Sequence, residues 1–188
     1  TTFTSFLAKE FNLKDIYESV SDNPYLSDFY GDMHRWSFNL QVYFLHHRFA
    51  SIIEIENSHK GFVQDRTIYE DVEIFSKNLH DMGYLDDRDW KTYSDLFLNM
   101  TKFLKSPDII IYLRADLDVL LERINNRNRD YEATIDPEYL KRLNLMYDEW
   151  IKNITWTKVL IINTNTFNIF KDKDTLESIF KDIKEKLK

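Results

Sequence analysis

Two continuous apolar runs constrain the fold more than any other feature of this chain. Ile109-Ile110-Ile111-Tyr112-Leu113 and Val159-Leu160-Ile161-Ile162-Asn163 show no polar alternation and are shorter than an ordinary helix. Such runs predict strands covered on both faces, the situation in a parallel sheet. Between them the spacing predicts a helix over 117–126 and another over 137–153, with Pro137 in the first turn, where a missing N–H costs nothing. Strand, helix and strand in that order make a parallel crossover unit. Only three glycines and three prolines occur in 188 residues, too few for a turn-rich all-β fold. The fold class is therefore α/β, a parallel sheet with helices on both faces.

The rest of the chain fits that class. Residues 1–11 read as a helix with Phe3, Phe6, Leu7 and Phe11 on one face, and 15–20 as a short strand carrying Glu18 at its end. Asp22-Asn23-Pro24 marks a turn, and a short helix spans 25–30. The longest helical segment, 33–57, is largely apolar through Trp36, Leu40, Tyr43, Phe44, Phe49, Ile52 and Ile53. A helix of that kind needs cover on most sides, inside the protein or at a dimer interface. Phe62-Val63-Gln64 then reads as a strand that stops at Asp65-Arg66-Thr67 and leads into a helix ending near residue 80. Thr67 and Glu70 have the spacing of a capping box. Further helices are expected over 86–104 and 173–187. No repeat, linker or domain boundary interrupts the pattern, so 1–188 reads as one domain.

Composition narrows the function. Lys and Arg total 25 against 32 Asp and Glu, a net charge of −7 with no basic run, which argues against nucleic-acid binding. Cysteine is absent, which removes disulfides, thiolate chemistry and cysteine zinc sites. No stretch reaches the roughly 18 apolar residues of a membrane span, and the expected location is the cytoplasm. The histidines (His34, His46, His47, His59, His80) lack ligand spacing and read as structural; the four tryptophans read as core.

Three groups of polar residues stand out. Arg123 and Arg127 share a helix face, with Arg129 and Glu132 just beyond. They suit either an anion such as a nucleotide phosphate or a solvated helix end favoured by the macrodipole. Gln41 and Arg48 are almost two turns apart, on one face of an apolar helix, and need inward partners. A nucleobase edge would pair with the amide, and a buried carboxylate, Asp71 for example, would pair with the guanidinium. Glu18 and Asp65 each sit at the carboxyl end of a strand, where ligands bind in open α/β sheets. There a carboxylate can take a proton or hold Mg²⁺, or be an ordinary loop residue.

Taken together and in this order, the motifs resemble the deoxynucleoside kinase family. They are Tyr17-Glu18-Ser19-Val20, Asp22-Asn23-Pro24-Tyr25, Phe29-Tyr30, Trp36-Ser37-Phe38-Asn39-Leu40-Gln41, Asp65-Arg66-Thr67-Ile68-Tyr69-Glu70-Asp71 and the run from Arg123 to Glu132. The first two look most like bacterial deoxyadenosine and deoxyguanosine kinases.

The resemblance implies a P-loop kinase-type sheet and ATP-dependent phosphorylation of a deoxynucleoside 5′-hydroxyl in nucleotide salvage. The purine deoxynucleosides, and deoxycytidine after them, are the implied substrates. Glu18 would be the base and Arg66 the group steadying it and the transferring phosphate. Tyr30 and Glu132 would hold the 3′-hydroxyl, and Gln41 would pair with the base, backed by Arg48 and Asp71. Arg123, Arg127 and Arg129 would form a phosphate lid over about 123–134, with Asn128 where the family usually has Gly. Mg²⁺ would be held at Thr1 and Asp65. A homodimer through the helices 33–57 and 86–104 is also implied. The alternatives are another P-loop nucleoside or nucleotide kinase, or a non-catalytic member of the same fold.

The family also carries a first, central strand and a G-x-x-x-x-G-K-[ST] phosphate loop. In this alignment Thr1 is the loop's hydroxyl residue, and the natural protein is expected to be longer at its N-terminus.

Overall fold

Parallel pairing of β1 (Lys14–Ile16) with β2 (Phe62–Gln64) sets Asp15 beside Val63 and Ile16 beside Gln64. These coordinates are a computed structural model that describes residues 1–17, 23–127 and 135–188. The described residues fall into two compact units. One is built on Thr1–Lys105; the other contains Asp136–Lys188 together with the strand and helix that precede residue 128.

In the first unit α1 (Thr2–Phe11) packs against both short strands and buries Phe3, Leu7 and Ala8. Asn12 ends it in the left-handed conformation, with φ 53°, a role that Asn fills at low cost. α2 (Leu26–Gly31) packs on α3 (Met33–Glu56), whose first turn is capped by the Asp32 carboxylate accepting from the Arg35 N–H. α4 (Ile68–Glu70) follows Asp65-Arg66-Thr67, and the Glu70 carboxylate accepts from the Thr67 N–H as the capping box predicts. Next come a π-helical turn (Asp71–Ser76), α5 (Lys77–Asp81) and α6 (Asp87–Thr101). Leu45, Ile68, Val72, Tyr93 and Phe97 form a core cluster among α3, α4, the π-helical turn and α6. Full burial of one such side chain contributes roughly 1.5–3 kcal/mol.

The second unit pairs β3 (Ile109–Arg114) with β4 (Lys158–Asn163), parallel and in register from Ile109–Lys158 to Arg114–Asn163. α7 (Leu117–Arg127) and α8 (Pro137–Asn153) contact one another, and α9 (Lys173–Leu187) lies against β4. Both apolar runs are thus strands, as the sequence predicts.

The described residues hold two-stranded parallel pairings β1–β2 and β3–β4, in keeping with the expected α/β class. Three expectations are corrected. Within the second sheet Leu113 is 40% and Ile161 51% exposed, because a two-stranded ribbon with helices against part of it cannot bury every side chain. The helix after Thr67 is not α-helical throughout; its π-helical turn has no counterpart in apolar spacing. Trp156 lies in the loop before β4 and is 41% exposed, so it is not core. Among the described residues no helix is long and apolar enough to cross a membrane.

Candidate active site

A cleft opens at the carboxyl ends of β1 and β2. Ile16, Tyr17, Gln64 and Asp65 line it from the sheet side; Tyr43, Phe44, His47, Arg48 and Ser51 line it from one face of α3. This is where a parallel sheet offers its ligand site, since strands end there and helices begin. The Asp65 N–H donates to the Ile16 carbonyl at 2.9 Å, so the sheet pairing continues to the residue that carries the carboxylate.

Thr1 reaches Asp65 because α1 packs against β2. Its hydroxyl donates to Asp65 Oδ2 at 2.8 Å. Burial works against charge on Asp65. The hydrogen bond from the Thr1 hydroxyl and the Arg66 charge favour it. A hydroxyl and an ionised carboxylate are the hard oxygen donors Mg²⁺ accepts, the remaining positions in such kinase sites going to water and phosphate. Among the described residues no three His, Cys, Asp or Glu side chains gather at a metal-sized site, and a Mg²⁺–phosphate site does not need them.

Arg66 sits between this pair and α4 with φ 69°. Left-handed backbone costs a residue with a Cβ roughly 1–2 kcal/mol, and such strain gathers at functional sites. Its guanidinium carbon lies 4.9 Å from the centre of the Phe75 ring.

Two buried polar contacts cross from α3 to the π-helical turn. Arg48, 5% exposed, pairs through Nη1 with Asp71 Oδ1 and donates to the Thr67 carbonyl at 3.1 Å. The Phe44 ring centre lies 5.3 Å from the guanidinium carbon. Seven residues earlier Gln41, 3% exposed, accepts through Oε1 from the Ser76 hydroxyl at 2.9 Å. Gln41 and Arg48 share a face as their spacing predicts. Asp71 and Ser76 are five apart, which in an α-helix is roughly 140° round the axis. The i→i+5 bonding of a π-turn instead stacks residues five apart. The π-helical turn is what lets both residues face α3. Tyr93 is fully buried in the same region, where burial and, after it, the Asp71 charge push its phenol upward, so it stays protonated.

Sequence reasoning placed Thr1, Asp65, Gln41, Arg48 and Asp71 in one neighbourhood, with Arg66 beside it. Tyr30 lies on α2 with its ring against Phe29, outside the residues that line the cleft. Glu18, Arg129 and Glu132 fall outside the described residues. Arg123 and Arg127 lie on α7 in the other unit; Arg123 donates from Nη1 to the Thr164 hydroxyl at 2.9 Å and from Nη2 to the Thr164 carbonyl. Missed were Ser76, Tyr17, Tyr43 and Ser51, and His47, which lines the cleft though it reads as structural. His47 packs on Tyr43 at 4.2 Å between ring centres. The i, i+4 spacing of Tyr43, His47 and Ser51 could have marked that face, since 48 belongs to it too.

Parallel strands joined through helices, with a polar cleft at their carboxyl edge, define an α/β ligand-binding protein. The family model of deoxynucleoside kinase matches residues 1–188, and the chain belongs to that family of kinases. It is 40% identical over 181 residues to a deoxyadenosine/deoxycytidine kinase of Bacillus subtilis, covering 95% of this chain and 83% of the relative. It is 44% identical over 168 residues to a deoxyadenosine kinase of Dictyostelium discoideum, covering 89% of this chain and 68% of that one. Among solved structures, the deoxyadenosine kinase of M. mycoides with products dCMP and a flexible dCDP bound superposes with a TM-score of 0.86. The two are 30% identical, with 98% of this chain and 92% of the other covered.

Proposed function

We propose that the protein transfers the γ-phosphoryl group of ATP to the 5′-hydroxyl of deoxyadenosine or deoxyguanosine, with deoxycytidine as a further substrate, in cytoplasmic nucleotide salvage. One observation carries the reading: Gln41 and Arg48, the latter paired with buried Asp71 of the π-helical turn, stand on α3, whose neighbouring face lines a cleft that ends at Asp65. A base held on α3 would direct its sugar toward the strand ends. The specificities of the relatives, deoxyadenosine and deoxycytidine, agree with it.

Phosphoryl transfer asks the protein for alignment and positive charge more than for covalent chemistry. Glu18 takes the proton of the 5′-hydroxyl. Arg66, fixed by its left-handed backbone, steadies Glu18 and the transferring oxygens. Thr1 and Asp65 would hold Mg²⁺, which would supply positive charge to neutralise the phosphates. Tyr30 and Glu132 hold the 3′-hydroxyl. Arg123, Arg127 and Arg129 form the lid over about 123–134. Arg123 is its anchored member, because Thr164 occupies two of its five N–H donors. The domain is one unit of function over 1–188. A homodimer through α3 and α6 accounts for exposed Ile53 and Leu96 on helices that touch each other.

The test is a panel of deoxynucleosides with ATP and Mg²⁺, using protein expressed from its full reading frame. Deoxyadenosine or deoxyguanosine should give the highest kcat/KM. Thymidine turned over faster than every purine deoxynucleoside would overturn the reading.

A further inference from the structure

Ser76 is fully buried, and its hydroxyl is directed differently from four other helix hydroxyls of this chain. Those of Ser37, Ser51, Thr92 and Thr101 donate back to the carbonyl four residues earlier. Ser76 instead donates across to Gln41 Oε1, 35 positions away, at 2.9 Å. The π-helical turn aims it there. Among the described residues no acceptor faces Gln41 Nε2, so the amide has its oxygen tethered and its N–H₂ left for a ligand.

We propose that Ser76 is a specificity-determining positioning residue that fixes the orientation of the Gln41 amide and so selects amino-substituted bases, the adenine and cytosine types, over their oxo counterparts. The inference rests on the reading that Gln41 pairs with the base. Adenine and cytosine present a ring-nitrogen acceptor beside an amino donor. An amide whose N–H₂ faces the ring nitrogen, and whose oxygen has a second lone pair for the amino group, matches that edge. Hypoxanthine and guanine present the reverse, a ring N–H beside a carbonyl. An untethered amide would turn over and serve either edge. Here a turned amide would give up the Ser76 O–H to Oε1 bond, requiring the hydroxyl to accept and its proton to turn to another group. The tether from Ser76 thus biases the amide, and the preference within the purines goes to deoxyadenosine over deoxyguanosine.

The experiment compares kcat/KM for deoxyadenosine and deoxyinosine, which differ only at position 6 of the base and the adjoining ring nitrogen, in the wild type, Ser76→Ala and Gln41→Ala. Taking the ratio of the two substrates on one preparation cancels any loss of folded protein. In Ser76→Ala the ratio should fall about fivefold, the weight of one ordinary hydrogen bond, mostly through a higher KM for deoxyadenosine. In Gln41→Ala it should fall at least as far. An unchanged ratio in Ser76→Ala with a collapsed ratio in Gln41→Ala would overturn the role of Ser76 and leave the base-pairing role of Gln41 standing. An unchanged ratio in both would overturn both.

Discussion

Replacing Arg48 by methionine should lower the free energy of unfolding by about 3–5 kcal/mol, the usual cost of leaving a buried ion alone. Asp71 is 1% exposed, and the substitution removes the guanidinium beside it. The Thr67 carbonyl loses a donor at the same time. Methionine matches the length of the apolar stem, so packing against Phe44 survives and the loss is electrostatic. A urea titration near neutral pH would show a large fall in midpoint with little change in slope. Adding Asp71→Leu should restore most of the stability, because removing both charges removes the desolvation penalty as well. Discrimination among bases should not return in the double variant, since the polar contact to the base would be gone. A mild effect of Arg48→Met alone would show that the pair is not a buried ionic contact.

Arg66 should separate stability from activity. Its φ of 69° suits glycine and strains any residue with a Cβ. Arg66→Gly should therefore be more stable than Arg66→Ala by about 1 kcal/mol, read as a difference in denaturation midpoint. Both should lose activity to the same degree, about 10²–10³-fold in kcat, the cost of removing one preorganised donor from a charge-developing site. The loss should fall on kcat more than on KM, because the guanidinium acts on the transferring group. If Arg66→Gly retained full activity, the residue would be a structural turn and the strain would have no catalytic purpose.

The sequence was most legible where chemistry follows local spacing. Apolar runs gave β3 and β4, the Gln41–Arg48 interval gave a shared face, and Thr67 and Glu70 gave a cap. Partners of buried polar residues were half legible. Asp71 could be named as a candidate for Arg48 because a buried guanidinium needs a carboxylate. Ser76 could not be named for Gln41, because only the π-helical turn brings it round, and a helix that changes pitch keeps the apolar pattern of one that does not. Exposure in the strands was also misread. An all-apolar run implies cover on both faces, but cover depends on how many strands the sheet has. Leu113 and Ile161 show what two strands leave open.

The most direct test of the proposed chemistry is to identify the product. Deoxyadenosine, ATP and Mg²⁺ incubated with the protein should yield a phosphomonoester whose phosphorus couples to the 5′-methylene protons in a two-dimensional NMR spectrum. Chelation of Mg²⁺ should stop the reaction, and Glu18→Gln should slow it by at least about 10²-fold, as expected for loss of a positioned base. Phosphate on the 3′-oxygen, or an unchanged rate in Glu18→Gln, would contradict the assignment of this cleft as a 5′-phosphoryl-transfer site.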